Sequence, residues 1–206
     1  MIALIKLDKV TKEIKGKQVV HHANLELTSG NFTMIHGHNG SGKTMLLRLL
    51  CGLIKPTSGQ LFFEKQLRFG VIIENPTFLQ HETAFYNLKY LADINKIINV
   101  DEINRWLKRF NLFDVKDKKV KSFSLGMKQR LALVQAFMEN PDVILLDEPF
   151  NGIDDDNLSV VYEVLAEEKR KGKMIIVASH VEIPVNGLIT QKVRMSDGKI
   201  VEVIQL

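Results

Sequence analysis

Eight consecutive residues, Gly37-His38-Asn39-Gly40-Ser41-Gly42-Lys43-Thr44, carry glycine, lysine and threonine in the spacing G-x-x-x-x-G-K-[ST]. Glycines without a Cβ let the backbone wrap closely round an anion, with its N–H groups aimed at phosphate oxygens. Lys43 is placed to reach the β- and γ-phosphates of a nucleotide, and the Thr44 hydroxyl to hold Mg²⁺. Two adjacent carboxylates, Asp147 and Glu148, follow the apolar run Val143-Ile144-Leu145-Leu146. The first suits a magnesium site, directly or through water. The second could orient or deprotonate a water attacking the γ-phosphate. A histidine, His180, ends a further apolar run at residues 174–178, where a γ-phosphate contact is chemically reasonable.

Elements that must position these groups are legible in the periodicity. Residues 32–36 read as a strand and 45–53 as a helix with Leu46, Leu49, Leu50 and Leu53 on one face. Strands are expected at 2–7 and 19–27, joined through Lys15-Gly16-Lys17, and at 60–63. The apolar run 69–73 has the pattern of a strand buried on both faces, closed by Glu74-Asn75-Pro76. Residues 83–110 read as helical. Ser124 is a good N-cap for a helix carrying Met127, Leu131, Val134 and Met138. Asp154 caps another, which ends in Lys169-Arg170-Lys171 before Gly172. The sequence closes with a hairpin, strands 191–195 and 199–204 about Ser196-Asp197-Gly198.

Composition narrows the classes. Of 206 residues, 45% are hydrophobic and 25% charged, as expected for a globular domain with a real core. No apolar run approaches the ~20 residues of a membrane span, and the start lacks a secretion signal's apolar core. A single cysteine, Cys51, excludes an internal disulfide and fits a reducing compartment. A formal charge of +4 is mild, and the lysine-rich 116–121 stretch has no interleaved aromatics, so nucleic acid is not an expected partner. His21 and His22 have no partner at ligand spacing and read as strand residues.

Together these residues resemble, over nearly the whole chain, the nucleotide-binding domain of ABC transporters. Gly37 to Thr44 matches the Walker A motif and Leu145-Leu146-Asp147-Glu148-Pro149 the Walker B motif with its catalytic glutamate. Phe123-Ser124-Leu125-Gly126-Met127 falls on the signature, Asn151-Gly152-Ile153-Asp154 on the D-loop and His180 on the switch histidine. The resemblance implies one α/β P-loop domain over 1–206: a mostly parallel sheet, an N-terminal antiparallel β subdomain, and a helical subdomain inserted at about 75–140. It also implies ATP with Mg²⁺, and a second ATP-binding subunit, like or unlike, stacked head to tail. Ser124, Leu125, Gly126 and Met127 of one chain would then meet the γ-phosphate on the other, with Gly126 allowing close approach. The remaining partner would be a separate transmembrane permease, and the location cytoplasmic, at the inner face of the cell membrane.

Three departures stand out. Leu125 and Met127 replace a glycine and a glutamine of the signature. Glu74 stands where a Q-loop glutamine approaches Mg²⁺, and Ile14 where an aromatic stacks on adenine. The Ser-Leu-Gly-Met-Lys-Gln-Arg wording and the acidic Q-loop look like the branch that exports bacitracin or gives lantibiotic self-protection, which implies a peptide or drug exporter. A non-transport ABC ATPase, such as an iron–sulfur assembly subunit, would share the motifs.

Overall fold

The computed structural model describes residues 5–64, 66–74, 77–180 and 187–206. The expected strand residues 2–4 and the Asn75-Pro76 stop lie outside them.

Strands β1 (Ile5–Ile14) and β2 (Lys17–Leu27) form an antiparallel hairpin. Lys15 and Gly16 both take positive φ at its turn, the two-residue geometry that matches strand twist. Strand β3 (Phe32–His36) leads through the glycine-rich loop into helix α1 (Lys43–Leu50). That helix starts earlier and ends earlier than expected, since Gly52 turns at φ 73° and leaves Leu53 exposed. Strand β4 (Ser58–Phe63) returns to pair with β1, completing a three-stranded antiparallel sheet in the order β2-β1-β4.

The second sheet is built from β5 (Phe69–Ile72), β6 (Val143–Asp147), β7 (Met174–Ser179), β8 (Gln191–Ser196) and β9 (Lys199–Gln205), together with β3. Its order is β5-β6-β7-β3-β8-β9, parallel except for the β8–β9 hairpin. Strands β6 and β7 are buried at every residue, which explains their unbroken apolar sequences. Strand β5 departs from the expectation of two buried faces. It is an edge strand, and Phe69 and Val71 are only half-buried.

Between β5 and β6 lie α2 (Ala84–Asn95), α3 (Val100–Arg109) and α4 (Leu125–Phe137). The single helical stretch expected at 83–110 is therefore two helices. Lys96 ends the first in a left-handed conformation, and the Asn99 side chain accepts from the Glu102 N–H to start the next. Trp106, Phe110 and Phe137 stack with ring centroids 5.6–6.1 Å apart and fasten α3 to α4. Helix α5 (Asp155–Arg170) connects β6 to β7. One face of the sheet packs with α2 to α5; the other packs α1 against the antiparallel sheet. The ends of β3, β6 and β7 thus bring three chemically loaded loops to one edge, where open α/β sheets bind ligands.

Candidate nucleotide-binding site

The glycine-rich loop is held tightly from behind. A Cβ on Gly37 would lie 2.4 Å from the Met195 carbonyl oxygen, and one on Gly42 would lie 2.9 Å from that of Val19. Gly42, at φ 104°, caps α1 with no side-chain hydrogen bond, and the helix has no acid in its first turn. An anion is what such a terminus accommodates. Lys43 is buried, its Nζ donating to the carbonyls of Gly37 (2.7 Å) and His38 (3.2 Å) across the loop. The buried Ser41 hydroxyl has no hydrogen-bond partner among the described residues.

Thr44 Oγ1 donates to Asp147 Oδ2 at 2.6 Å. Asp147 is 7% exposed, and burial pushes its carboxyl above its ordinary value, against the opposing pull of the Thr44 hydrogen bond. The pair is an oxygen-only set, which fits Mg²⁺; that ion keeps water and phosphate ligands and needs few from protein.

One residue further, Glu148 sits at φ 46° with its N–H on the Ala178 carbonyl (2.9 Å). Its Oε1 accepts from the His180 backbone N–H (2.9 Å) and faces His180 Nδ1 at 2.7 Å. The pairing follows from the β6–β7 register, in which Asp147 lies opposite Ala178. A neutral imidazole donating to this carboxylate carries its proton on Nδ1 and leaves Nε2 as an acceptor.

A cavity of about 810 Å³ spans the loop, α1, Asp147 and Glu148 on one side and the β1–β2 turn with Asp197, Gly198 and Lys199 on the other. Two sequence expectations change here. Ile14 does not line the cavity; it sits at the strand end paired with Lys17, and the turn itself (Gly16 to Val19) forms the wall. The Glu74 carboxylate does not join Thr44 and Asp147. Arg48, one turn beyond Thr44 on α1, takes it at 2.7 Å, while the Glu74 backbone N–H supports Asp147. Gly126 packs tightly within its own chain, where a Cβ would lie 2.3 Å from the Gly152 carbonyl oxygen of the D-loop.

Ser124 accepts from the Met127 N–H (3.2 Å) as expected of a cap, and Leu125 is 63% exposed and lies over Gly152. Asp154 likewise caps α5, accepting from the Asn157 N–H at 3.0 Å. Residues 124–127 are absent from the cavity's lining. Asn39 lines the cavity, whereas His38 does not and keeps its Nδ1 against the Asn39 carbonyl (2.9 Å). Two residues without a site role at the sequence level belong to the neighbourhood: His21 lines the cavity, and buried Gln129 ties α4 to the Pro149 carbonyl (3.1 Å). Broken alternation at His21-His22 was the signal for the first.

A glycine-rich strand-to-helix loop facing adjacent carboxylates at a parallel sheet's edge defines a P-loop nucleotide-binding protein. Within that class the chain belongs to the ABC transporter family, whose profile matches residues 20–151. It is an ABC transporter ATP-binding subunit. It is 39% identical over 206 residues to the uncharacterized ABC transporter ATP-binding protein YybJ of Bacillus subtilis, covering 96% of this chain and 94% of that one. Identity is 34% to the bacitracin transport ATP-binding protein BcrA of Bacillus licheniformis, with 99% and 70% covered. It is 30% to the lantibiotic transport ATP-binding protein SrtF of Streptococcus pyogenes, with 96% and 89% covered. The ATP-binding cassette MJ0796, in a dimeric post-hydrolysis state bound to ADP and Pi, shares the fold at a TM-score of 0.88, with 23% identity over 98% of each chain. No helix among the described residues is long and apolar enough to cross a membrane.

Proposed function

We propose that this subunit hydrolyses ATP with Mg²⁺ in the P-loop cavity, between two subunits stacked head to tail, and so drives a separate permease at the inner face of the membrane. The observation that carries this reading is the pair of contacts Thr44–Asp147 and Glu148–His180, set side by side at the ends of β6 and β7 next to Lys43. The backbone of residues 37–44 binds the phosphates, and Lys43 leaves its loop carbonyls for phosphate oxygens. Thr44 and Asp147 would hold Mg²⁺, which when bound supplies charge neutralisation on the phosphate oxygens. Glu148 accepts the proton of the water whose oxygen attacks the γ-phosphorus, and the bond to the bridging oxygen breaks toward ADP. His180 fixes the Glu148 carboxylate and can present Nε2 to the reacting phosphate.

Transport-named relatives support a peptide-like or drug-like cargo and the outward direction. Glu148→Gln should lower turnover by about 10²-fold or more, with ATP affinity kept and an ATP-dependent dimer visible on gel filtration. Wild-type turnover in that variant would sink the catalytic reading. In its own host, Lys43→Ala should sensitise cells to bacitracin-like or lanthionine peptides, and unchanged sensitivity to both would remove the exporter reading.

A further inference from the structure

A nucleotide whose phosphates occupy the loop must place its nucleoside against the β1–β2 wall of the cavity. Among the described residues that wall contains no Phe, Tyr or Trp, and Ile14 lies outside it. The one aromatic ring among the described lining residues is the imidazole of His21. Its placement is built into the hairpin. Pairing jumps from Val10↔Ala23 to Lys12↔Val20, so His21 and His22 share the space opposite Thr11 as a β-bulge. His22 takes φ 43° and donates its N–H to Thr11 Oγ1 at 3.1 Å. Val20 and Ala23 both remain buried although three apart, and the extra residue re-aims His21, a use of bulges common beside active sites. The His21 N–H donates to the Gly198 carbonyl at 2.8 Å, and a Cβ on Gly198 would lie 2.7 Å from His21 Cδ2. Glycine at 198 is what leaves room for the ring.

We propose that His21 supplies the ring contact for the nucleoside half of the nucleotide. A ring face accepts any purine, so the contact adds affinity without choosing between ATP and GTP. The inference rests on the cavity being the nucleotide site. Calorimetry at saturating Mg²⁺ on wild type, His21→Ala and His21→Phe, with ATP, GTP and inorganic tripolyphosphate, tests it. His21→Ala should weaken ATP and GTP alike, by about five- to tenfold, and leave tripolyphosphate unchanged; His21→Phe should bind both nucleotides within about twofold of wild type. Unaltered ATP binding by His21→Ala, an equal loss of tripolyphosphate, or a His21→Phe as weak as His21→Ala would overturn the proposal. Failure of wild type itself to bind ATP would instead overturn the assignment of the cavity.

Discussion

Asp147 shows how a single residue can be costly to the fold and still suit the chemistry proposed for it. Its carboxylate is almost fully buried, and desolvation raises its pKa. The sign of the consequence is fixed. Below the unfolded pKa the group is neutral in both states and costs nothing. As pH rises through the raised folded value, the native state must hold a charge that water would hold better, and stability is lost. Asp147→Asn keeps an oxygen to accept from Thr44 and removes that charge. The variant should gain about 1 kcal/mol at neutral pH, with the gain vanishing in acid, while Mg²⁺-dependent nucleotide affinity collapses. Denaturant titrations at two pH values, beside ATP binding with and without Mg²⁺, measure both halves. A destabilised variant at neutral pH would show that another interaction compensates the buried charge.

At the scale of elements, the α4 N-terminus and the D-loop act as one unit. Gly126 approaches Gly152 backbone to backbone, Leu125 covers Gly152, and Gln129 holds the Pro149 carbonyl. Gly→Ala in an ordinary helix stabilises by roughly 0.5–1 kcal/mol. Here the new methyl would meet a carbonyl oxygen that cannot rotate away, so Gly126→Ala should destabilise by about 1–3 kcal/mol. Denaturant unfolding decides, and a stabilised variant would mean the two loops do not touch in solution. This contact also marks where sequence reading stops. Caps at Ser124 and Asp154 are local, since the side-chain oxygen and the N–H it meets lie three residues apart, and both were legible. The Glu148–His180 contact spans 32 residues yet was foreshadowed, because each residue ends an apolar run. The Gly126–Gly152, Glu74–Arg48 and His21–Gly198 pairings depend on how separate elements meet. A string of residue types gives Glu74 a charge, and only the packing of α1 against the loop after β5 gives that charge a partner.

For the whole molecule, the residues proposed to meet phosphate fall on two separate surfaces. The cavity holds the phosphate loop, both carboxylates and the hairpin wall, whereas residues 124–127 do not line it. The exposed Leu125 and the capped start of α4 present their surface elsewhere. If copies of this chain close head to tail, each active site takes its phosphate loop from one copy and its α4 N-terminus from the other, a pairing that returns two equivalent sites by two-fold symmetry. Complementation separates this from a site complete within one chain. Lys43→Ala removes the phosphate contact and leaves α4 intact. Ser124→Asp retains a capping oxygen, so the helix should still start, but sets a negative charge where the partner's γ-phosphate would sit. Each variant alone should be inactive. Co-expressed with different tags and purified as the mixed dimer, they should recover roughly half of wild-type ATPase activity if the sites fire independently. In that dimer the intact phosphate loop of the Ser124→Asp chain faces the intact α4 of the Lys43→Ala chain. Full activity of Ser124→Asp by itself would show that the second chain contributes nothing to hydrolysis.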